Sequence, residues 1–128
     1  MSRSGWFVII GIVLYAITRG AEMALAVKPG VQLATTWQVE VMRDAVNRVW
    51  NAHGFQATIT SSMDGSHMQN SKHYDGLAED YRTHDLPDAL KYNMFNEVRN
   101  ILGTDYDVLF EYETQPNEHL HIEYDPKV

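Results

Sequence analysis

The chain has 128 residues, of which 45% are hydrophobic and 21% are charged, as expected for one globular domain with one hydrophobic core. Its formal net charge of −7 argues against non-specific binding to nucleic acid, because the phosphate backbone would be repelled. The absence of cysteine excludes disulfides, thiolate metal ligands and a cysteine nucleophile, so a bound metal would need His, Asp and Glu ligands.

The N-terminal residues 5–17, GWFVIIGIVLYAI, are apolar and uncharged and follow Arg3. This stretch is shorter than the roughly 20 residues that cross a bilayer as a helix. A signal peptide is one interpretation, since small residues at Ala24-Leu25-Ala26 resemble a cleavage site. A membrane anchor running from Trp6 to about residue 27 is the second interpretation, and a buried helix of the domain is the third.

A domain boundary is predicted at Lys28-Pro29-Gly30, because proline and glycine together break regular structure. The chain is therefore divided into an N-terminal signal or anchor segment, 1–27, and a working domain, 28–128. Either role of the first segment would bring the working domain to a membrane or across it.

The first half of the working domain is predicted to contain one helix and two strands. The helix begins near Trp37, after a cap at Thr35 or Thr36, and ends at Gly54. Residues 55–61 alternate and are rich in β-formers, which predicts a strand, and the polar residues 62–71 predict a loop. A second strand is predicted over 76–82, with Ala78, Asp80 and Arg82 on one face.

The second half is predicted to contain a helix followed by two strands. Residues 86–103 have Pro87 in the first helical turn, Gly103 at the end, and an apolar stripe formed by Leu90, Met94, Val98 and Ile101. Residues 106–113 and 119–125 predict two strands joined by a short connection. The order of elements predicts an α+β fold with a small antiparallel sheet and flanking helices.

Histidines and carboxylates concentrate in two short segments of this predicted fold. The two-residue period of a strand places His119, His121 and Glu123 on one face. Two neighbouring strands can then present His73, Asp80 and His121 toward a common point. Two imidazoles and one carboxylate form a three-ligand zinc set that leaves a fourth position open, which indicates Lewis-acid catalysis rather than a structural site.

A base would be needed beside such a site. Glu118 lies three residues before His121, and a strict strand would place it on the opposite face, so it must lie on the turn after Asn117 to reach the site. His119 is the competing candidate because it shares the face of His121. We favour Glu118 for proton transfer and His119 for stabilising the oxyanion.

The remaining histidines differ in their expected roles. His67 lies in the loop that leads into the site and is a candidate for contact with substrate or for supporting a ligand. His53 and His84 are interpreted as surface or capping residues.

The two segments together resemble the M15 peptidases, which include D-alanyl-D-alanine carboxypeptidases and dipeptidases and phage L-alanyl-D-glutamate endopeptidases. The resemblance covers most of residues 33–126 and rests on Ser71-x-His73, Gly76-x-Ala78-x-Asp80 and Glu118-x-x-His121. It implies the zinc fold shared with hedgehog domains, zinc ligands His73, Asp80 and His121, and Glu118 as the catalytic base. The stretches ITSSMDGSHMQNSKHYDGLAEDYRT and HLHIEYDPK particularly resemble small phage-encoded members.

Two features depart from the family pattern. Many relatives carry an arginine after the Thr-Ser of the preceding strand, but none follows Thr60-Ser61 here. Arg82 could replace it in substrate binding, together with His67 and Ser71, or could be an ion-pair partner. Glu79 stands where relatives often carry an apolar residue, so we expect it to be exposed at an edge.

The function implied by this resemblance is a zinc metallopeptidase that cuts the stem peptide of peptidoglycan, exported or anchored to a membrane by the N-terminal segment. A virion-associated, membrane-anchored lytic enzyme is one version. A D-Ala-D-Ala carboxypeptidase or dipeptidase is an alternative enzyme. A zinc-bearing virion or cell-wall binding module that has lost catalysis is an alternative of another class.

Overall fold

The computed structural model of the chain describes residues 22–65 and 67–127. Its elements, in chain order, are β1 (Ala26–Val27), α1 (Trp37–Ala52), β2 (Thr58–Ser61), β3 (Ala78–Arg82), α2 (Asp88–Leu102), β4 (Tyr106–Glu111) and β5 (His119–Tyr124). The strands form one sheet in the order β1-β2-β3-β5-β4, in which β1 runs parallel to β2 and the other neighbours are antiparallel. The predicted α+β class, with an antiparallel sheet and flanking helices, is confirmed.

Both helices begin and end close to the predicted residues. The Thr36 side chain accepts a hydrogen bond from the Val39 N–H at 3.2 Å, which satisfies one of the free donors of the first turn of α1. Pro87 precedes α2 at its N-cap position instead of lying within the first turn. The predicted stripe of α2 is wrong at Ile101, which is 43% exposed, because Leu102 packs against the core in its place.

The sheet extends upstream of the predicted boundary at Lys28. The Ala26 N–H donates to the Ala57 carbonyl at 2.8 Å, and the Lys28 N–H donates to the Ile59 carbonyl at 2.9 Å. Residues just before Lys28 are therefore part of the folded domain. The apolar stretch 5–17 lies outside the described residues, and no helix within 22–65 or 67–127 has the length and apolar character needed to span a bilayer.

The hydrophobic core lies between the two helices and one face of the sheet. The Trp50 ring of α1 stacks on Phe95 of α2 with 6.1 Å between centroids, while Tyr81, Leu120 and Ile122 cover them from the sheet. Burial of each large apolar side chain contributes roughly 1.5–3 kcal/mol. The alternation of β3 and β5 then turns Asp80, His119 and His121 toward the other face.

Glu79 lies in this helix-covered side of the sheet, and the expectation that it would be exposed is wrong. Its side chain is 0% exposed because β3 is a central strand and Glu79 points toward α1. Arg43 forms an ion pair with its carboxylate. Ser62 Oγ and Tyr81 Oη also donate hydrogen bonds to it, at 2.7 and 2.9 Å. These four groups satisfy one another, as a buried charge requires.

Candidate metal centre

Three side chains predicted as ligands converge on the open face of the sheet. Asp80 and His121 are directly paired across β3 and β5, and His73 reaches them from the loop between β2 and β3. His121 Nδ1 lies 2.9 Å from Asp80 Oδ1, and His73 Nε2 lies 3.3 Å from each of these two atoms. His73 and Asp80 are buried, while His121 is partly buried.

The second nitrogen of each imidazole is held by an acceptor. His73 Nδ1 lies 2.7 Å from the Ser62 carbonyl, which can only accept, so this nitrogen carries hydrogen and Nε2 keeps its lone pair. His121 Nε2 lies 2.8 Å from Glu123 Oε1, which leaves Nδ1 as the free nitrogen of a neutral ring. Such outer contacts orient metal-ligating histidines and fix the tautomer that can bind.

The donor set fits a bound cation. Three lone-pair atoms face one another at 2.9–3.3 Å, so a positive charge between or upon them is needed to offset their repulsion. Ligand atoms bound to a tetrahedral zinc at ~2.0–2.1 Å would lie ~3.3 Å apart, which is close to these separations. Two imidazoles and a carboxylate also suit borderline cations such as zinc. The group could therefore hold a metal ion.

The electrostatics of the cluster favour a charged pair in the absence of metal. Burial raises the pKa of Asp80, but its contacts with the His121 and His73 rings outweigh burial and hold that pKa well below its ordinary range. Burial lowers the pKa of His121, but its contacts with Asp80 and Glu123 outweigh it and raise the pKa to about 9. A proton on His121 can thus stand in the place that a metal cation would take.

The loop that delivers His73 is fixed at both ends. Ser62 is anchored at the first end because its Oγ accepts the Ala34 N–H at 3.0 Å. At the second end, Gly76 has φ +70°, and a Cβ there would lie 3.3 Å from both Ala34 Cβ and Thr36 Cγ2. Thr36 Oγ1 donates to the Gly76 carbonyl at 2.6 Å. A side chain at Gly76 would therefore disturb both the loop and the start of α1.

His119 lies beside the three ligands on the same sheet face. Its Nε2 is 3.0 Å from Glu111 Oε1 and 3.6 Å from Asp80 Oδ1, and its Nδ1 donates to the Asn117 carbonyl at 2.8 Å. The face-sharing predicted from the strand period is therefore seen for His119 and His121. Its position allows proton transfer or hydrogen bonding next to the cluster.

Glu118 does not join the cluster, contrary to the geometry that its predicted role as base requires. Its Oε2 accepts hydrogen bonds from Thr83 Oγ1 at 2.6 Å and from Lys91 Nζ at 2.8 Å, and its Oε1 accepts the Thr114 N–H at 2.9 Å. Lys91 belongs to α2, so Glu118 points to the helix-covered face, as strict alternation with His119 demands. Burial raises the pKa of Glu118, but the bonds from Lys91 and Thr83 outweigh it and lower the pKa to about 2.

The predicted substrate-binding residues take three different positions. His67 stacks on His73 with 3.9 Å between ring centroids and an interplanar angle of 4°, so it supports a predicted ligand. Ser71 Oγ accepts the His73 N–H at 3.2 Å and shapes the loop. Arg82 lines a cavity beside β1 and β2.

The two histidines interpreted as surface or capping residues have structural contacts away from the cluster. His53 is the C-cap residue of α1, and its Nε2 lies 3.1 Å from Glu97. His84 Nε2 donates to the Pro116 carbonyl at 2.7 Å.

Three contributors to the site were not assigned a role from the sequence. Glu123 was placed on the correct face, and its position two residues after His121 was the available signal for a contact with that ring. Glu111 contacts His119 across β4 and β5, which required the strand register. Ser62 acts through its backbone carbonyl, for which no side-chain pattern exists.

A group of three carboxylates lies next to the candidate metal centre. Asp107, Glu123 and Asp125 have oxygens close enough to share a cation. Lys127 Nζ already donates to Asp107 at 2.9 Å and to Asp125 at 3.3 Å, and Glu123 accepts from His121. These contacts account for the group as part of the surroundings of the candidate metal centre.

Comparison with protein-family models, curated proteins and solved structures finds no match to this chain. The class that the fold and site define is therefore an α+β domain with two histidines and an aspartate that could hold a metal ion. The resemblance to M15 peptidases stays a prediction from the sequence motifs.

Proposed function

We propose that this protein is a zinc-dependent peptidase that hydrolyses a peptide bond in the stem peptide of peptidoglycan. The observation that carries the proposal is the convergence of His73 Nε2, Asp80 Oδ1 and His121 Nδ1 within 3.3 Å of one another. Each imidazole is held by a second contact that leaves the converging nitrogen free to bind. This is the arrangement that a three-ligand catalytic zinc site requires.

These three residues would hold the ion, which would supply Lewis-acid activation of water and of the scissile carbonyl group. His119 is the residue we assign to proton transfer, because its Nε2 faces the cluster at 3.6 Å from Asp80 while its Nδ1 is anchored by Asn117. Glu111, at 3.0 Å from the same nitrogen, would hold the ring when it carries a proton.

The substrate class rests on the motif resemblance alone. Ser71-x-His73, Gly76-x-Ala78-x-Asp80 and the late Glu-x-x-His follow the pattern of M15 peptidases. Export or anchoring by the apolar residues 5–17 would place the site at the cell wall, with a virion-associated enzyme as one version.

The test is digestion of purified peptidoglycan by the zinc-loaded full-length chain, with the released fragments identified by mass spectrometry. We expect new peptide termini from the parent, no products from His73→Ala, and a loss of about 10²–10⁴-fold in rate from His119→Gln. His84→Gln is the matched control, because His84 is exposed, donates to the Pro116 carbonyl away from the cluster, and its replacement should leave the rate unchanged. The masses also distinguish an endopeptidase from a D-Ala-D-Ala carboxypeptidase or dipeptidase.

A second candidate is a metal-bearing binding module without catalysis. It is favoured by one observation, the engagement of Glu118 with Lys91, Thr83 and Thr114, which removes the carboxylate expected to act as base. Co-sedimentation of the zinc-loaded chain with peptidoglycan, without any released fragment, would reject the peptidase and support this module.

A further inference from the structure

A cavity of about 390 Å³ lies where β1 and β2 meet the end of β3. Its apolar lining comes from Ala26, Val27, Pro29, Trp50, Phe55 and Leu86. Its polar lining comes from Lys28, Gln56, Thr58, Arg82 and Asp85. Pockets for small ligands typically measure roughly 300–1,000 Å³ and combine an apolar lining with a few polar groups, as this one does.

Arg82 is the polar group of this cavity with the most unused capacity. It is half-buried, and within residues 22–65 and 67–127 no hydrogen bond or ion pair engages its guanidinium, although Asp85 lines the same cavity. A guanidinium offers five N–H donors in a planar fork that matches a carboxylate. Lys28 adds a second positive charge to the lining, so the cations outnumber the one carboxylate of Asp85.

We propose that this cavity binds the carboxylate end of a peptide whose terminal side chain is apolar. Arg82 receives the carboxylate, and the terminal side chain lies against Trp50, Phe55 and Leu86. The sign of the lining supports an anion, since the cavity is positive in a chain whose net charge is −7. An anion held by two charge-assisted hydrogen bonds from one arginine gains geometric specificity as well as affinity.

The position of the cavity relates it to the candidate metal centre. Arg82 follows Asp80 by two residues on β3, is paired with His119 across β5, and shares their sheet face. The apolar lining of the cavity, in contrast, includes Trp50 and Leu86, which belong to the core on the helix-covered side of the sheet. The identification of the bound peptide with the substrate or product of the peptidase rests on the proposed function.

The binding is tested on the full-length, metal-stripped chain, so that a carboxylate has no metal to bind. The probes are N-acetyl-leucine and N-acetyl-leucinamide, which differ in the charge of the terminal group, and the measurement is isothermal titration calorimetry. We expect the acid to bind roughly 10- to 100-fold more tightly than the amide, the range expected for hydrogen bonds to a charged group. Arg82→Gln should reduce the acid to the affinity of the amide, and Arg48→Gln on the exposed side of α1 should change nothing.

A second variant tests the cavity independently, in case Arg82→Gln does not fold. Ala26→Phe fills the cavity from the β1 side and should abolish binding of both probes while Arg82 stays in place. Equal affinity of the acid and amide for the parent, or parent-like binding of the acid by Arg82→Gln, would overturn the proposal.

Digestion of peptidoglycan separates this proposal from the proposed function. A preference for the acid without peptidoglycan turnover leaves the cavity assignment standing and rejects the peptidase. Turnover without that preference rejects the cavity assignment and leaves the peptidase standing.

Discussion

Replacing Glu118 by glutamine distinguishes a structural carboxylate from a catalytic base. In the structure this carboxylate accepts three hydrogen bonds on the helix-covered side of the sheet, from Thr83, Lys91 and Thr114. Glutamine keeps the shape of the side chain but removes the negative charge beside the buried Lys91. We therefore expect Glu118→Gln to lower the free energy of unfolding while the three predicted metal ligands stay in place.

The size of the effect follows from the pKa of Glu118, which is lowered from 4.5 to about 2 in the folded chain. Each unit by which the pKa differs between the folded and unfolded chain is worth about 1.4 kcal/mol, so this lowering of the pKa corresponds to roughly 3 kcal/mol of stability at pH 7. Asp88 Oδ1 also lies 2.9 Å from Lys91 Nζ and keeps part of the stabilisation of that cation, so we expect a loss of about 2–3 kcal/mol. Because the folded pKa is the lower one, the stabilisation is complete above pH ~4.5 and disappears as the pH falls toward ~2.

The assay is urea unfolding of the parent and Glu118→Gln at several pH values between 7 and 2.5, with zinc content measured in parallel. The difference between the two chains should be largest at pH 7 and should shrink below pH ~4.5. Glu113→Gln is the matched control, because Glu113 lies in the same β4–β5 connection and its carboxylate accepts a hydrogen bond from the exposed Tyr92 hydroxyl instead of from a buried lysine. A Glu118→Gln chain as stable as the parent that has lost peptide hydrolysis would refute this reasoning and restore Glu118 as the base.

Three further predictions concern the metal, the buried ion pair and the N-terminal strand. Excess zinc should stabilise the parent and His84→Ala by ~2.7 kcal/mol at 100 times Kd, and so raise their melting temperatures. It should not raise the melting temperature of His73→Ala, and a parent-like rise in that variant would contradict the ligand assignment. Glu79→Gln should lower the free energy of unfolding in urea by about 3 kcal/mol. It should also weaken zinc binding in a competition assay, because Ser62 donates to Glu79 and holds His73 through its carbonyl. An unchanged zinc affinity would show that the ion pair does not support the candidate metal centre. A chain beginning at Lys28 should unfold at lower urea than one beginning at Glu22, since it lacks the backbone bonds of β1; equal midpoints would show that β1 contributes nothing.

The elements with a strong periodic pattern could be predicted from the sequence, and the short ones could not. The capping threonine, the apolar spacing of α1 and Gly54 fixed that helix, and the alternation of 106–113 and 119–125 indicated β4 and β5. β1 was missed because Ala26–Val27 is too short to show any period, and it exists through parallel pairing with β2. The exposed position of Ile101 was missed because the neighbouring Leu102 competes for the same side of α2.

The placement of Asp80 and His121 side by side could be predicted because strand alternation is a local rule. His121 and Asp80 each lie in a strand, and their faces follow from the two-residue period once the strands are antiparallel neighbours. The contacts that orient the imidazole rings depend on tertiary placement, so fewer of them could be predicted from the sequence. The stacking of His67 on His73 depends on the path of the loop between β2 and β3.

Glu118 shows how a motif and a local rule can conflict. Strict alternation places it opposite His121, and the structure follows this rule; only the role implied by the Glu-x-x-His motif required a turn that would bring it to the metal. A second signal was available in the helix. Lys91 follows the predicted stripe position Leu90 and is buried in α2, where a charged ammonium group requires a carboxylate partner. Glu118 supplies that partner and therefore does not reach the open face. The residue proposed for proton transfer is His119, and the alternation of β5 that turns Glu118 away also places His119 beside His121.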